Sequence, residues 1–203
     1  MMGKREYYLV ICEGASEVAY TQELNRFLNE NNQSFTLHAH NAESGNVKAI
    51  RRCCRALKCR GRATIVMLDY DIYKRNDDNN LTLYEQNKDR LPRFCFQHFN
   101  FEDFLLMHYP STVLEKWRGR MKESGHYANP LHGDDYLAVF SRFVREHESE
   151  LQFSCTYQKG DMPFVLTGEK LRNLFANNLH SELPRSDFAT FLQNHMDLTT
   201  IPS

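Results

Sequence analysis

The sequence predicts an α/β fold, with a mostly parallel sheet flanked by helices in the first half and a helical second half packed on it. Three observations carry this. Short continuous apolar runs rich in β-branched residues read as strands buried on both faces. Segments with apolar residues at helical spacing separate them, so the first hundred residues alternate β-α-β-α-β-α-β. Beyond residue 100 the apolar residues recur with helical period only. The expected organisation is an α/β core at 1–110 and a helical region at 111–203 packed on that core.

The run at 7–12 (YYLVIC) is the first strand, stopped by Glu13-Gly14. Ser16 is the expected N-cap of a helix to about Asn31, with Tyr20, Leu24, Phe27 and Leu28 as its buried stripe. An alternating run at 35–40 is the second strand. Gly45-Asn46 then turns the chain into a helix from Val47 to about Lys58. Residues 64–69 (TIVMLD) form a third strand that ends in an acid, and DDNN at 77–80 is a solvated loop. A helix over 81–91 stops before Pro92, and 94–97 is the fourth strand. Helices follow at 101–109, 113–124, 136–148, 168–178 and 188–195, with the weakest joint at 124–135. Trp117 and the fourteen Phe read as core.

A chain of 203 residues can bury a sizeable core. With 41% hydrophobic and 25% charged residues, it is neither disordered nor a coiled coil. A net charge of -1 means that any nucleic-acid contact must come from a local patch. The longest apolar run, 7–12, is far below the ~20 residues of a membrane span, and no signal peptide is evident, so a cytoplasmic protein without membrane contact is expected. Cys12, Cys53, Cys54, Cys59, Cys95 and Cys155 lack finger spacing and read as small buried apolar residues.

Acids stand at two strand ends. Glu13 follows the first strand; Asp69 closes the third, with Asp71 two residues on. Ligands of open parallel sheets gather at the carboxyl ends of strands. Each acid alone is an ordinary cap or turn residue. The three together form a hard-oxygen set suited to Mg²⁺. On an extended chain Asp69 and Asp71 would point to one side. A second feature is the run from Lys48 to Arg62, with seven basic residues and no acid. At helical spacing Lys48, Arg51, Arg52, Arg55 and Lys58 make a basic stripe opposite Ile50, Cys53, Cys54 and Leu57. Such a stripe suits phosphate backbone and equally a solvated helix face. GxGxxG, GK[ST], HExxH and GxSxG motifs are absent.

Glu13-Gly14-x-Ser16-Glu17-x-x-Tyr20 resembles the first motif of Toprim domains, in particular the RloB-like branch, and Asp69-Tyr70-Asp71 resembles the second. Phe101-Glu102-x-Phe104-x-x-x-His108-Tyr109 is similar to the helix motif of RloB-like chains, and Tyr157-x-Lys159 to a later feature. The motifs occur in the family's order. The chain departs from the pattern at His98-Phe99, where the family has Asn-Pro, and at Phe104, where it has Trp.

The resemblance implies a Toprim-like fold and a metal-dependent nuclease hydrolysing phosphodiester bonds in DNA or RNA. RloB-like proteins occur with restriction and antiphage defence systems, and related Toprim nucleases work with an ATPase partner; a homo-oligomer is left open. Carried over by position, Glu13, Asp69 and Asp71 would hold Mg²⁺ or Mn²⁺, with Glu17 close by. Glu13 or Glu17 would accept a proton, and Lys159 would stabilise the transition state or the leaving oxygen. Lys48, Arg51, Arg52, Arg55 and Lys58 would position the backbone without sequence readout. Glu102 and His108 would support the site or face the substrate. An alternative is a non-catalytic or partner-gated Toprim module that binds nucleic acid or nucleotide and signals to an ATPase. Asp69-x-Asp71 also fits haloacid-dehalogenase phosphatases or nucleotide-sugar transferases. Those phosphatases, however, want Thr or Val where this chain has Tyr73, and a nucleophile on the first strand, which ends here in Glu13.

Overall fold

The computed structural model describes residues 5–59, 63–74, 76–98, 100–131, 133–153, 158, 160–179 and 184–201. Arg60, Arg62, Phe99, Cys155, Tyr157 and Lys159, which the sequence reading used, lie outside the described residues. Four of the apolar runs form parallel strands: β1 (Glu6–Cys12), β2 (Phe35–Asn41), β3 (Thr64–Asp69) and β4 (Arg93–His98). A two-residue strand, β5 (Arg185–Ser186), pairs antiparallel with β4, and the sheet order is β2-β1-β3-β4-β5. The connections reverse direction between β1 and β3, the switch point where doubly wound sheets of this order place their ligands.

The helices between strands are α1 (Ala15–Glu30), α2 (Val47–Ala56), α3 (Asp71–Lys74) and α4 (Asn80–Asn87). After β4 come α5 (Phe101–Leu106), α6 (Ser111–Glu123), α7 (Gly133–Glu146), α8 (Glu148–Leu151), α9 (Gly168–Asn178) and α10 (Asp187–His195). Strand side chains alternate between faces, and this sorts the helices into two layers. Val10, Cys12, Ile65, Met67 and Cys95 pack with Tyr20 and Leu24 of α1 and with aromatic residues of the second half, among them Phe104, Trp117, Phe140 and Phe188. Leu9, Ile11, Val66, Leu68, Phe94 and Phe96 pack with Val47 and Ile50 of α2 and Tyr73 of α3. The larger core runs from Val10 to Ile201, so the helices after residue 110 close one face of the sheet. Among the described residues no helix is long and apolar enough to cross a membrane.

Three local differences from the sequence reading have physical causes. Gly14, not Ser16, precedes the first turn of α1; the Glu17 carboxylate accepts the Gly14 N–H at 3.0 Å, while Ser16 Oγ accepts the Gly160 N–H at 2.9 Å. The chain does not stay extended through Asp69-Tyr70-Asp71. It leaves β3 at Asp69 and begins α3 at Asp71, so the expected one-sided display of the two acids is overturned. β5 escapes notice because two residues carry no periodicity.

His108, just past α5, ties the two halves together. Its Nδ1 faces the Phe104 and Leu105 carbonyls at 3.1 and 3.3 Å and therefore carries the proton; Nε2 then accepts the Tyr20 hydroxyl at 2.9 Å. Burial pushes its pKa down to about 3, so the ring is a neutral clamp. Tyr20→Phe leaves Nε2 buried without a donor. The expected outcome is a stability loss of about 1–3 kcal/mol in urea unfolding with an unchanged slope.

Candidate active site

The ends of β1 and β3 lie side by side because Cys12 pairs with Met67, and the Glu13 N–H donates to the Met67 carbonyl at 3.1 Å. Glu13 therefore emerges beside Asp69. Its Oε2 accepts the Asp69 N–H at 3.1 Å. On the other side the loop after β2 presses against the same carboxylate at Gly45. A Cβ there would lie 2.5 Å from Glu13 Oε2, so any larger residue would push the Glu13 carboxylate aside. The Tyr73 hydroxyl fixes that loop by donating to the Gly45 carbonyl at 2.9 Å. A strand end, a backbone amide and a glycine loop thus hold Glu13 in place.

Asp69 lies at the centre of the group. The residue is partly exposed, yet its Oδ1 is shut off from solvent and has no hydrogen-bond partner among the described residues. Burial, followed by the negative charges of Glu13, Glu17, Asp71 and Glu102, holds its carboxyl well above the usual carboxylate range. Glu17, nearly buried on the first turn of α1, is raised from 4.5 to about 7 by burial, then by Glu13 and Glu102. Glu102, also buried, enters from the first turn of α5. The structure thus brings Glu13, Glu17, Asp71 and Glu102 within electrostatic reach of Asp69 at the switch point. His108 points elsewhere, into the core. Lys159 lies outside the described residues.

The basic stripe is divided. α2 begins beside the carboxylate end of the sheet, where Lys48 sits in its first turn, and runs antiparallel to the strands. Arg51, Arg55 and Lys58 line a groove with Thr64, the first residue of β3, at the opposite end. Arg52 is exposed.

Two site residues were not anticipated. Gln97 is the register partner of Asp69 on β4; it is fully buried, and neither polar atom of its amide has a hydrogen-bond partner among the described residues. A polar residue inside the run FCFQH was the available signal. His126, in the loop read only as a joint, is buried near Asp71. Its Nδ1 accepts the Leu131 N–H at 3.0 Å, and burial lowers its pKa to about 4, opposed by Asp71 and reinforced by Lys74. Lys74 Nζ latches the same loop by donating to the Tyr127 carbonyl at 2.6 Å.

Among the described residues no group of three or more His, Cys, Asp or Glu side chains is drawn tightly enough together to form a ready metal shell. The donor chemistry nevertheless fits a hard divalent cation, and the buried, unpartnered Asp69 Oδ1 is the atom such an ion would satisfy. Mg²⁺ does not need a closed protein shell, since it keeps several waters and takes one or two carboxylates together with substrate phosphates. No protein family, no characterised protein and no solved structure matches this chain.

The crowded acids have a consequence for stability. Glu17 holds its proton more tightly folded than unfolded, so unfolding near neutral pH sheds protons. The associated stability is complete below about pH 4.5 and is lost as pH rises through about 7. In metal-free protein the melting temperature is expected to fall between about pH 5 and about pH 7.5, with a shallower fall in Glu17→Gln. A Glu17→Gln profile that parallels the wild type would remove Glu17 as the cause.

Proposed function

We propose that the chain is a Toprim-type hydrolase that cleaves phosphodiester bonds in nucleic acid with Mg²⁺ or Mn²⁺ held by Glu13, Asp69 and Asp71. The observation that carries this is the meeting of separately delivered acids at the β1/β3 switch point, around a buried carboxylate oxygen with no partner. Uncompensated charge of this kind is costly to bury, so the site is built for a cation or for protons. When bound, the ion supplies positive charge against the scissile phosphate and activates the attacking water.

The residues of the chain supply the rest. Glu17, with its pKa raised to about 7, is suited to take a proton from the attacking water near neutral pH. Its bond from the Gly14 N–H aims it from the start of α1. Glu102 adds negative charge that keeps the neighbouring acids basic. Lys159 takes the leaving oxygen in the Toprim pattern, and Lys48 stands at the carboxylate end of α2 as a cation for the substrate backbone. The unclosed carboxylate shell favours a second reading, in which the site completes itself only when substrate or an ATPase partner engages.

The test is a cleavage panel of supercoiled DNA, linear duplex, single strands and tRNA with Mg²⁺, Mn²⁺ or EDTA. Cutting that needs the metal and falls at least about 100-fold in Asp69→Ala is the expected result, since even residues behind the ligands of a metal site are commonly worth 10- to 100-fold. Cutting that persists in EDTA or in Asp69→Ala would overturn the assignment. Metal binding by folded protein with no cutting of any substrate would select the gated module.

A further inference from the structure

At the amino ends of β3 and β4, the far side of the sheet from the carboxylates, lies a groove of about 950 Å³. Arg51, Arg55 and Lys58 line one wall; Arg90, from the 3-10 turn Lys88–Arg90 before β4, lines the other, with Asp89 as the acid among the lining residues. Arg51, Arg55 and Lys58 succeed one another at helical spacing down α2, stepping along the groove by about 6 and about 4.5 Å of helix rise. Four other surface cations are paired: Arg26 with Glu23 and Glu30, Lys88 with Glu85, Lys116 with Glu150 and Arg120 with Glu146. Among the described residues none of the four groove cations makes an ion pair or a side-chain hydrogen bond. Four unmatched cations converging on one concavity are arranged for a polyanion.

We infer that this groove is a second nucleic-acid contact, which anchors phosphate backbone away from the site of cleavage. It rests on the reading of the chain as a nucleic-acid hydrolase, but it separates anchoring from chemistry by the length of β3, about 16 Å at the usual strand rise. Arg90 joins Arg51, Arg55 and Lys58 as a phosphate ligand. The contact reads charge, not sequence, because backbone contacts fix register and carry no base information. A strand held there and running along α2 would pass Lys48 on its way to the carboxylates.

The test is fluorescence anisotropy of labelled single-stranded and duplex oligonucleotides with the full chain in EDTA, at several salt concentrations, with ATP as a competitor arm. The wild-type chain is expected to bind without metal, with affinity falling steeply as salt rises. Arg55→Ala/Arg90→Ala, which changes two exposed side chains, is expected to weaken binding about 10- to 100-fold and to lower the salt slope by about 2. Binding unchanged in the double variant, no oligonucleotide binding at all, or ATP binding without oligonucleotide binding would each overturn the inference. Because metal is absent throughout, none of these outcomes touches the carboxylate assignment, which stands or falls on cleavage by Asp69→Ala.

Discussion

Five carboxyl groups share the crevice between β1 and β3, and the surrounding structure exists in large part to keep them there. Like charges in a partly buried site repel more strongly than in water, and a buried carboxylate oxygen without a partner costs free energy. Asp69 bears both burdens. The fold answers with rigid supports: the β1/β3 register, the Asp69 N–H on Glu13, the Gly45 loop fixed by Tyr73, and the first turns of α1 and α5. Among the described residues no lysine or arginine is hydrogen-bonded to Glu17 or Asp69.

A net charge of -1 conceals a molecule with opposed ends. The carboxyl ends of the strands carry the acids; the amino ends carry an unmatched group of cations. The direction of α2 sets this polarity, since a helix linking two parallel strands of one sheet, here β2 and β3, must run back along it. Under the proposed function a polyanion would meet attraction at one end and, at the other, negative charge that protons or a cation must offset. That arrangement lets affinity and chemistry be adjusted separately.

How far the sequence foretold this depends on which physical signal each residue leaves. Glu13 and Asp69 were legible because each ends an apolar run, and the alternation of elements made those runs parallel strands of one sheet; that β1 and β3 are neighbours only the structure shows. Asp71 was legible as a member of the site but not in its geometry: a four-residue helix has too few apolar positions to announce itself, so the extended reading of Asp69-Tyr70-Asp71 failed. The basic stripe of α2 was visible as a helix face. Periodicity fixes a face and not which end of the sheet each residue reaches, so its division into Lys48 and a distant groove was not foreseen. Gln97 hid inside a strand that reads as core, and His126 sits in a loop whose course only tertiary contacts determine. Gly45 looked like an ordinary turn glycine, because its necessity lies in a contact with Glu13 from another part of the chain.

The claim on which everything else rests is that the carboxylate group holds a divalent cation in exchange for protons. Calorimetric titration of Mn²⁺ into metal-free protein near pH 7, in two buffers of different ionisation heat, measures both quantities at once. Deprotonation of Glu17 and Asp69 should accompany binding, so net proton release is expected, with weaker binding in Gly45→Ala, whose added methyl displaces Glu13. Absence of binding, or binding that releases no protons and is equally tight in Gly45→Ala, would contradict the account.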